Sequence, residues 1–104
     1  MLNWERKMLD WSAIKNEYDG LVEKLADSSL DKKTRVEFQK KSTKLAELLG
    51  AYNEVVKLQQ SIAENKALAE QEDFKELALE ENVDLEQELV GIKRRLDELL
   101  YPAD

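Results

Sequence analysis

Five apolar residues near the C-terminal end, Leu85, Leu89, Ile92, Leu96 and Leu99, are separated by steps of four, three, four and three. That spacing is the period of a helix laid against other helices. Charged and polar residues fill most positions between them, so one narrow stripe is apolar and the rest of the helix is wet. The predicted helix covers about residues 73–101. It stops at Tyr101 because the residue before Pro102 is pushed out of the α region. A helix of this kind cannot bury its stripe alone, so the earlier chain has to supply the partner surface.

Two further helices are predicted. Over about residues 3–27, Trp11, Ile14, Tyr18, Leu21 and Leu25 keep the same period, with Trp4, Met8 and Val22 alongside. The stripe keeps its phase across Asp19-Gly20, which favours one continuous helix, since an interior glycine costs only about 1 kcal/mol against alanine. Ala26 to Leu30 is the clearest break, and Ser29 or Asp31 can cap the helix that follows. That helix runs over about residues 31–66. Phe38, Leu45, Leu49, Tyr52, Val56 and Ala63 mark its heptad line, with Ser42 and Gln59 as polar members. Leu48, Val55 and Ile62 lie beside the line at intervals of seven and widen the face to suit two neighbours.

Heptad phase is lost over residues 67–73, where Glu70, Glu72 and Asp73 favour the start of a new helix. An antiparallel hairpin centred near Ala69 follows, which sets Lys44 near Arg94 and Gln59 near Ala78. No period-two run appears. The expected fold is therefore all-α, an elongated three-helix arrangement with a long antiparallel coiled-coil hairpin and the first helix packed along it. Leu45, Leu49, Tyr52, Val56, Leu85, Leu89, Ile92 and Leu96 form the expected core.

Composition narrows the function. The 104 residues suffice for one modest core. With 38% charged and 7% aromatic residues, they suit thin-cored helices better than a deep pocket. Neither cysteine nor histidine is present. Thiol chemistry, histidine-based triads and the usual zinc ligands are thereby excluded. Carboxylate pairs such as Glu72–Glu76 and Asp84–Glu88 read as exposed helix surface, and Gly20, Gly50 and Gly91 are too isolated for a phosphate loop. No catalytic residue, cofactor or metal is expected. No apolar run approaches the roughly 18–20 residues of a membrane span. Glu5, Arg6, Lys7 and Asp10 occupy the place of a signal peptide's apolar run, and the chain reads as cytosolic.

Charge is unevenly placed. The net charge of −7 argues against nucleic-acid binding by the whole surface. Residues 64–88 hold ten acids and two bases, whereas residues 31–44 hold six bases and two acids. The hairpin places Lys93-Arg94-Arg95 at the basic end, so an acidic tip and a more basic root are expected. Trp4 and Trp11, seven residues apart, are either an aromatic patch for a partner or the first helix's share of the core. Gly50 and Gly91, at similar heights of the hairpin, are candidates for a close helix approach.

The order of segments carries a resemblance. Ile14-Lys15-Asn16-Glu17-Tyr18 in the first helix, the break at Ser28-Ser29 and the long helix from Val36 to Ile62 resemble the N-terminal region of bacterial class I peptide chain release factors. The ending Leu99-Leu100-Tyr101-Pro102-Ala103-Asp104 is closer to release factor 1 than to release factor 2. The resemblance implies one helical domain over residues 1–104, the N-terminal piece of a longer factor. It implies docking near the stalk base of the large ribosomal subunit and communication with a recycling GTPase, with no membrane and no DNA as partner. The family's stop-codon tripeptide and Gly-Gly-Gln motif do not occur in these residues, so no decoding or catalytic role is carried over. Lys40, Lys41, Lys44, Lys93, Arg94 and Arg95 are the candidate contacts to ribosomal phosphates. The alternative is a spectrin-like or coiled-coil adaptor with no ribosomal role.

Overall fold

The computed structural model describes residues 2–102. Four α-helices follow in order, α1 (Asn3–Arg6), α2 (Trp11–Leu25), α3 (Lys32–Leu68) and α4 (Lys75–Leu100), with one 3-10 turn at Glu72–Phe74. No strand occurs among the described residues. The chain is all-α and elongated, with extents of 62 × 32 × 20 Å. α3 is the spine. α4 folds back antiparallel along its C-terminal half, and α2 lies antiparallel along its N-terminal half, while α1 packs on α4.

The expected first helix is in fact two. The helix ends at Arg6, Met8 adopts the left-handed region with φ 47°, and Asp10 caps α2 by accepting from the Ala13 N–H at 3.1 Å. A left-handed non-glycine residue costs roughly 1–2 kcal/mol, and the two tryptophans show what offsets it. In one straight helix they would lie about 10 Å apart along a single face. The kink brings their rings within 6.3 Å, edge to face, so that Trp4 enters the core while Trp11 stacks on Tyr52 at 4.2 Å. α2 does run unbroken through Gly20.

The link from α2 to α3 is closed by groups other than the expected caps. Asp31 stands at the N-cap of α3 without a side-chain cap bond. Asp27 accepts instead from the Ser29 N–H at 2.9 Å and from its hydroxyl at 2.7 Å. Arg35 reaches back and donates to the carbonyls of Leu25 and Asp27 at 2.9 and 2.7 Å. It satisfies acceptors that the end of α2 leaves open and places a cation at the negative end of that helix.

The hairpin turns later than expected. Asn65 donates to Asn82 at 3.0 Å, and Asn82 in turn donates to the Ile62 carbonyl at 3.2 Å. Gln59 accordingly borders Glu86 and Leu89, not Ala78. The core line shifts with the register. Leu48, Ala51, Val55 and Ile62 of α3 are buried with Ala78, Asn82 and Leu96 of α4. Leu45, Leu49, Tyr52, Leu85, Leu89 and Ile92 are half-buried, and Val56 is exposed. The reason is division of labour, since α4 takes the line through Leu48, Val55 and Ile62 and leaves the line through Leu45 and Tyr52 to α2. Gly50 and Gly91 face open space, so neither mediates a close helix approach.

Candidate functional site

The six basic candidates fall into two groups that the fold does not join. Lys40, Lys41 and Lys44 are exposed on the part of α3 that α2 covers. Lys41 pairs with Glu17 of α2 at 3.3 Å, with both side chains about half exposed or more (61% and 49%). A pair so open to solvent contributes about 0–1 kcal/mol. Lys93, Arg94 and Arg95 lie nearer the tip, beside Leu96, whose buried neighbours are Leu48, Ala51 and Val55. The expected meeting of Lys44 with Arg94 does not occur, because the asparagine contacts set a different register.

Lys93 is not a free cation. Its ammonium pairs with Glu5 at 3.3 Å, and its carbonyl accepts the Trp4 indole N–H at 3.0 Å. The Trp4 backbone N–H donates to Asp97 at 3.1 Å, and Glu5 also accepts from the Leu2 N–H at 3.4 Å. Lys7 lies over the Tyr101 ring at 4.6 Å. Together these contacts form a clasp that holds the N-terminal segment on α4. Arg94 and Arg95 remain exposed and carry the open positive charge of that group.

Two grooves run along α3. One, of about 760 Å³, runs between α2 and α3 over the stacked Trp11 and Tyr52, with Leu49, Lys15, Tyr18 and Asn53 among its lining residues. The other lies between α3 and α4, where Gln59, Ala63 and Lys66 face Glu86 and Val90. Both are open. Among the described residues no group of three or more aspartates or glutamates is gathered to hold a metal ion. The carboxyl group of Asp27 is held below its ordinary value by the Ser29 hydroxyl and N–H, with a smaller contribution from the Arg35 charge.

Sequence reasoning missed the clasp, the exposed Val90 of the second groove and the exposed Val83 one heptad before it. The clasp had one local signal, Asp10 two residues after Met8 as an N-cap. The valines had another, because Val83 and Val90 are seven residues apart and off the main stripe.

A family model described as the PCRF domain matches residues 14–104. Neither the curated proteins nor the solved structures compared with the chain give a match.

Proposed function

Since the chain belongs to the PCRF-domain family of peptide chain release factors, we propose that it is a ribosome-docking domain of a translation termination factor. The observation that carries this reading is the extent of the match, which takes in most of α2 and all of α3 and α4. The domain is non-catalytic and works by positioning. In the finer reading the factor is bacterial, cytoplasmic, of class I and similar to release factor 1, with residues 1–104 as one N-terminal domain. Its partners are the stalk base of the large subunit and a recycling GTPase. The spectrin-like adaptor has no observation in its favour.

Charge suggests how such a rod would approach a particle made of RNA and protein. The ten acids of residues 64–88 repel phosphates over the 8–10 Å or so that salt leaves unscreened. Phosphate contacts therefore fall to the two basic groups away from the tip, Arg94 and Arg95 on α4 and Lys40 and Lys44 on α3, and to Lys41 and Lys93 only if their carboxylate partners release them.

The test is co-sedimentation of the chain with large ribosomal subunits across a salt series. Arg94→Ala/Arg95→Ala is expected to weaken binding several-fold and to flatten the salt slope by about one to two, since fewer counterions are released. Reversing the charges at Glu70, Glu72, Asp73 and Glu76 should leave the slope nearly unchanged. If reversal at the tip strengthens binding while the root variant is silent, the contact lies at the other end. No sedimentation at any salt concentration would sink the docking role.

A further inference from the structure

The lines on which α1 and α2 sit do not end where those helices end. On α3, α2 occupies the heptad positions Phe38, Leu45 and Tyr52, with Trp11 stacked on Tyr52, Lys24 over Phe38 and Leu49 lining the groove beside them. Steps of seven carry Tyr52 to Gln59 and Lys66, and Leu49 to Val56 and Ala63. On α4, α1 is held at Lys93 and Asp97. Steps of seven carry Lys93 to Glu86 and Leu79, and Asp97 to Val90 and Val83. The seat that the chain's own N-terminal helices fill at the root thus continues toward the tip, where nothing from the described residues fills it.

Five of its eight positions, Val56, Ala63, Leu79, Val83 and Val90, are apolar, and all eight are exposed. Val56, Leu79, Val83 and Val90 are 42%, 46%, 55% and 50% exposed. Four such side chains at heptad positions on two adjacent helices make a strip, not the scattered apolar exposure of an ordinary surface. From Val56 to Lys66 it is about 15 Å long, or roughly three helical turns.

Shape and charge identify the occupant. In shape, the seat repeats by sevens the positions on which α2 already lies, so the element it fits is another helix. In charge, residues 56–90, which span the strip, hold ten acids and three bases, and Glu86 and the one cation Lys66 line the groove. An acidic field selects a cationic partner and repels phosphate, so nucleic acid is disfavoured. We propose that this seat takes a basic amphipathic α-helix from a partner protein, its apolar stripe on Val56, Val83 and Val90 and its basic flanks toward the acids of the hairpin. This mode is the helix-in-groove recognition of a peptide read at i, i+3, i+4 and i+7. It goes beyond the ribosome reading and does not rest on it.

The test uses the whole chain and three labelled synthetic peptides of about 14 residues, a length of three to four turns. One has leucines at heptad spacing and lysines elsewhere, one has the same composition scrambled, and one replaces every lysine with glutamate. Fluorescence anisotropy is expected to rank the amphipathic Leu/Lys peptide at least about tenfold tighter than the scrambled one, with the Leu/Glu peptide weaker than both. Val83→Gln/Val90→Gln changes two exposed side chains and should melt with the parent. It is expected to lose about tenfold in affinity for the Leu/Lys peptide. Amide shift changes on titration should centre on residues 56–66 and 79–90. Equal binding of the scrambled peptide would mean that the acidic field acts alone, and the seat would then be refuted. So would an unaffected double glutamine variant, no binding at all, or shifts centred on the groove between α2 and α3. Self-association in sedimentation equilibrium that the double variant abolishes would assign the strip to a second copy of this chain instead.

Discussion

The root and the outer half of the hairpin share one helix, α3, and yet are built differently. At the root three helices and the N-terminal clasp converge, and two tryptophans and Tyr52 meet by one stacked and two edge-to-face contacts. Leu96 is wholly buried there, and Val55 is only 2% exposed. In the outer half just two helices meet. A two-helix contact can cover a single heptad line, so Ile62 and Ala78 are buried while Val56 and Val83, one line over, stay in water. Its core also contains a buried amide, Asn82. The comparison teaches that α3 offers two apolar lines side by side from Leu48 and Leu49 to Ile62 and Ala63, and that a third layer decides whether the second line is used.

The largest effects that could break this contrast lie at the root. Trp4→Ala should cost about 3–5 kcal/mol and Leu96→Ala about 2–5, through lost burial and the cavity left behind. Trp4→Ala also leaves the Lys93 carbonyl without its indole donor. Val56→Ala and Val83→Ala, at exposed positions, should stay within about 0.5 kcal/mol of the parent. Urea unfolding followed by circular dichroism compares all four. Losses of similar size at both ends would mean that the outer valines are already covered in solution.

The next effect sharpens the account of the outer half. Asn82→Ala removes a buried hydrogen-bonded amide and leaves the Ile62 carbonyl and Asn65 short of a partner, at a cost of about 1–2 kcal/mol. Asn65→Leu/Asn82→Leu should restore most of that stability, because apolar replacement of both partners is close to neutral. It should also loosen the register, since a polar pair in a helical seam fixes alignment at the expense of stability. Two sets of amide resonances in the double leucine variant are the expected sign. A single sharp set would show that Trp4 and the tip turn hold the register unaided.

How much of this was legible beforehand follows from the same contrast. The long helices and the hairpin could be read because their heptads run for many turns, and Pro102 marks the end of α4. The choice between the line through Leu49 and Val56 and the line through Leu48 and Val55 could not. Both repeat by sevens, and only the placement of α2 separates them. Asn82 reads as a polar lapse in the stripe until its partners at Asn65 and Ile62 are known. The break before Asp10 was hidden because Trp4, Met8 and Trp11 are spaced as one helix would space them. Apart from Lys93, which is half-buried against Glu5, the basic residues were legible as exposed charges, but their grouping depended on the register and shifted with it.

The smallest effect concerns the turn that sets α2 against α3 at the far end of the root. Asp27 is fully exposed, and its pKa lies below the ordinary 3.8 because the charged carboxylate accepts from the Ser29 hydroxyl and N–H, with Arg35 nearby. A folded-state pKa below the unfolded one means that the unfolded chain takes up the proton first as pH falls. The stabilisation is therefore complete above about pH 4, and it is lost as the pH falls through the depressed folded value. Asp27→Asn keeps an acceptor oxygen for Ser29 but removes the charge. The parent should melt slightly above this variant near pH 7, and the gap should close as the pH is lowered through 4 and below. A gap that persists unchanged into acid would assign the difference to amide geometry and not to charge. The turn would then owe its shape to the bonds from Arg35 to the Leu25 and Asp27 carbonyls, which no carboxylate titration can touch.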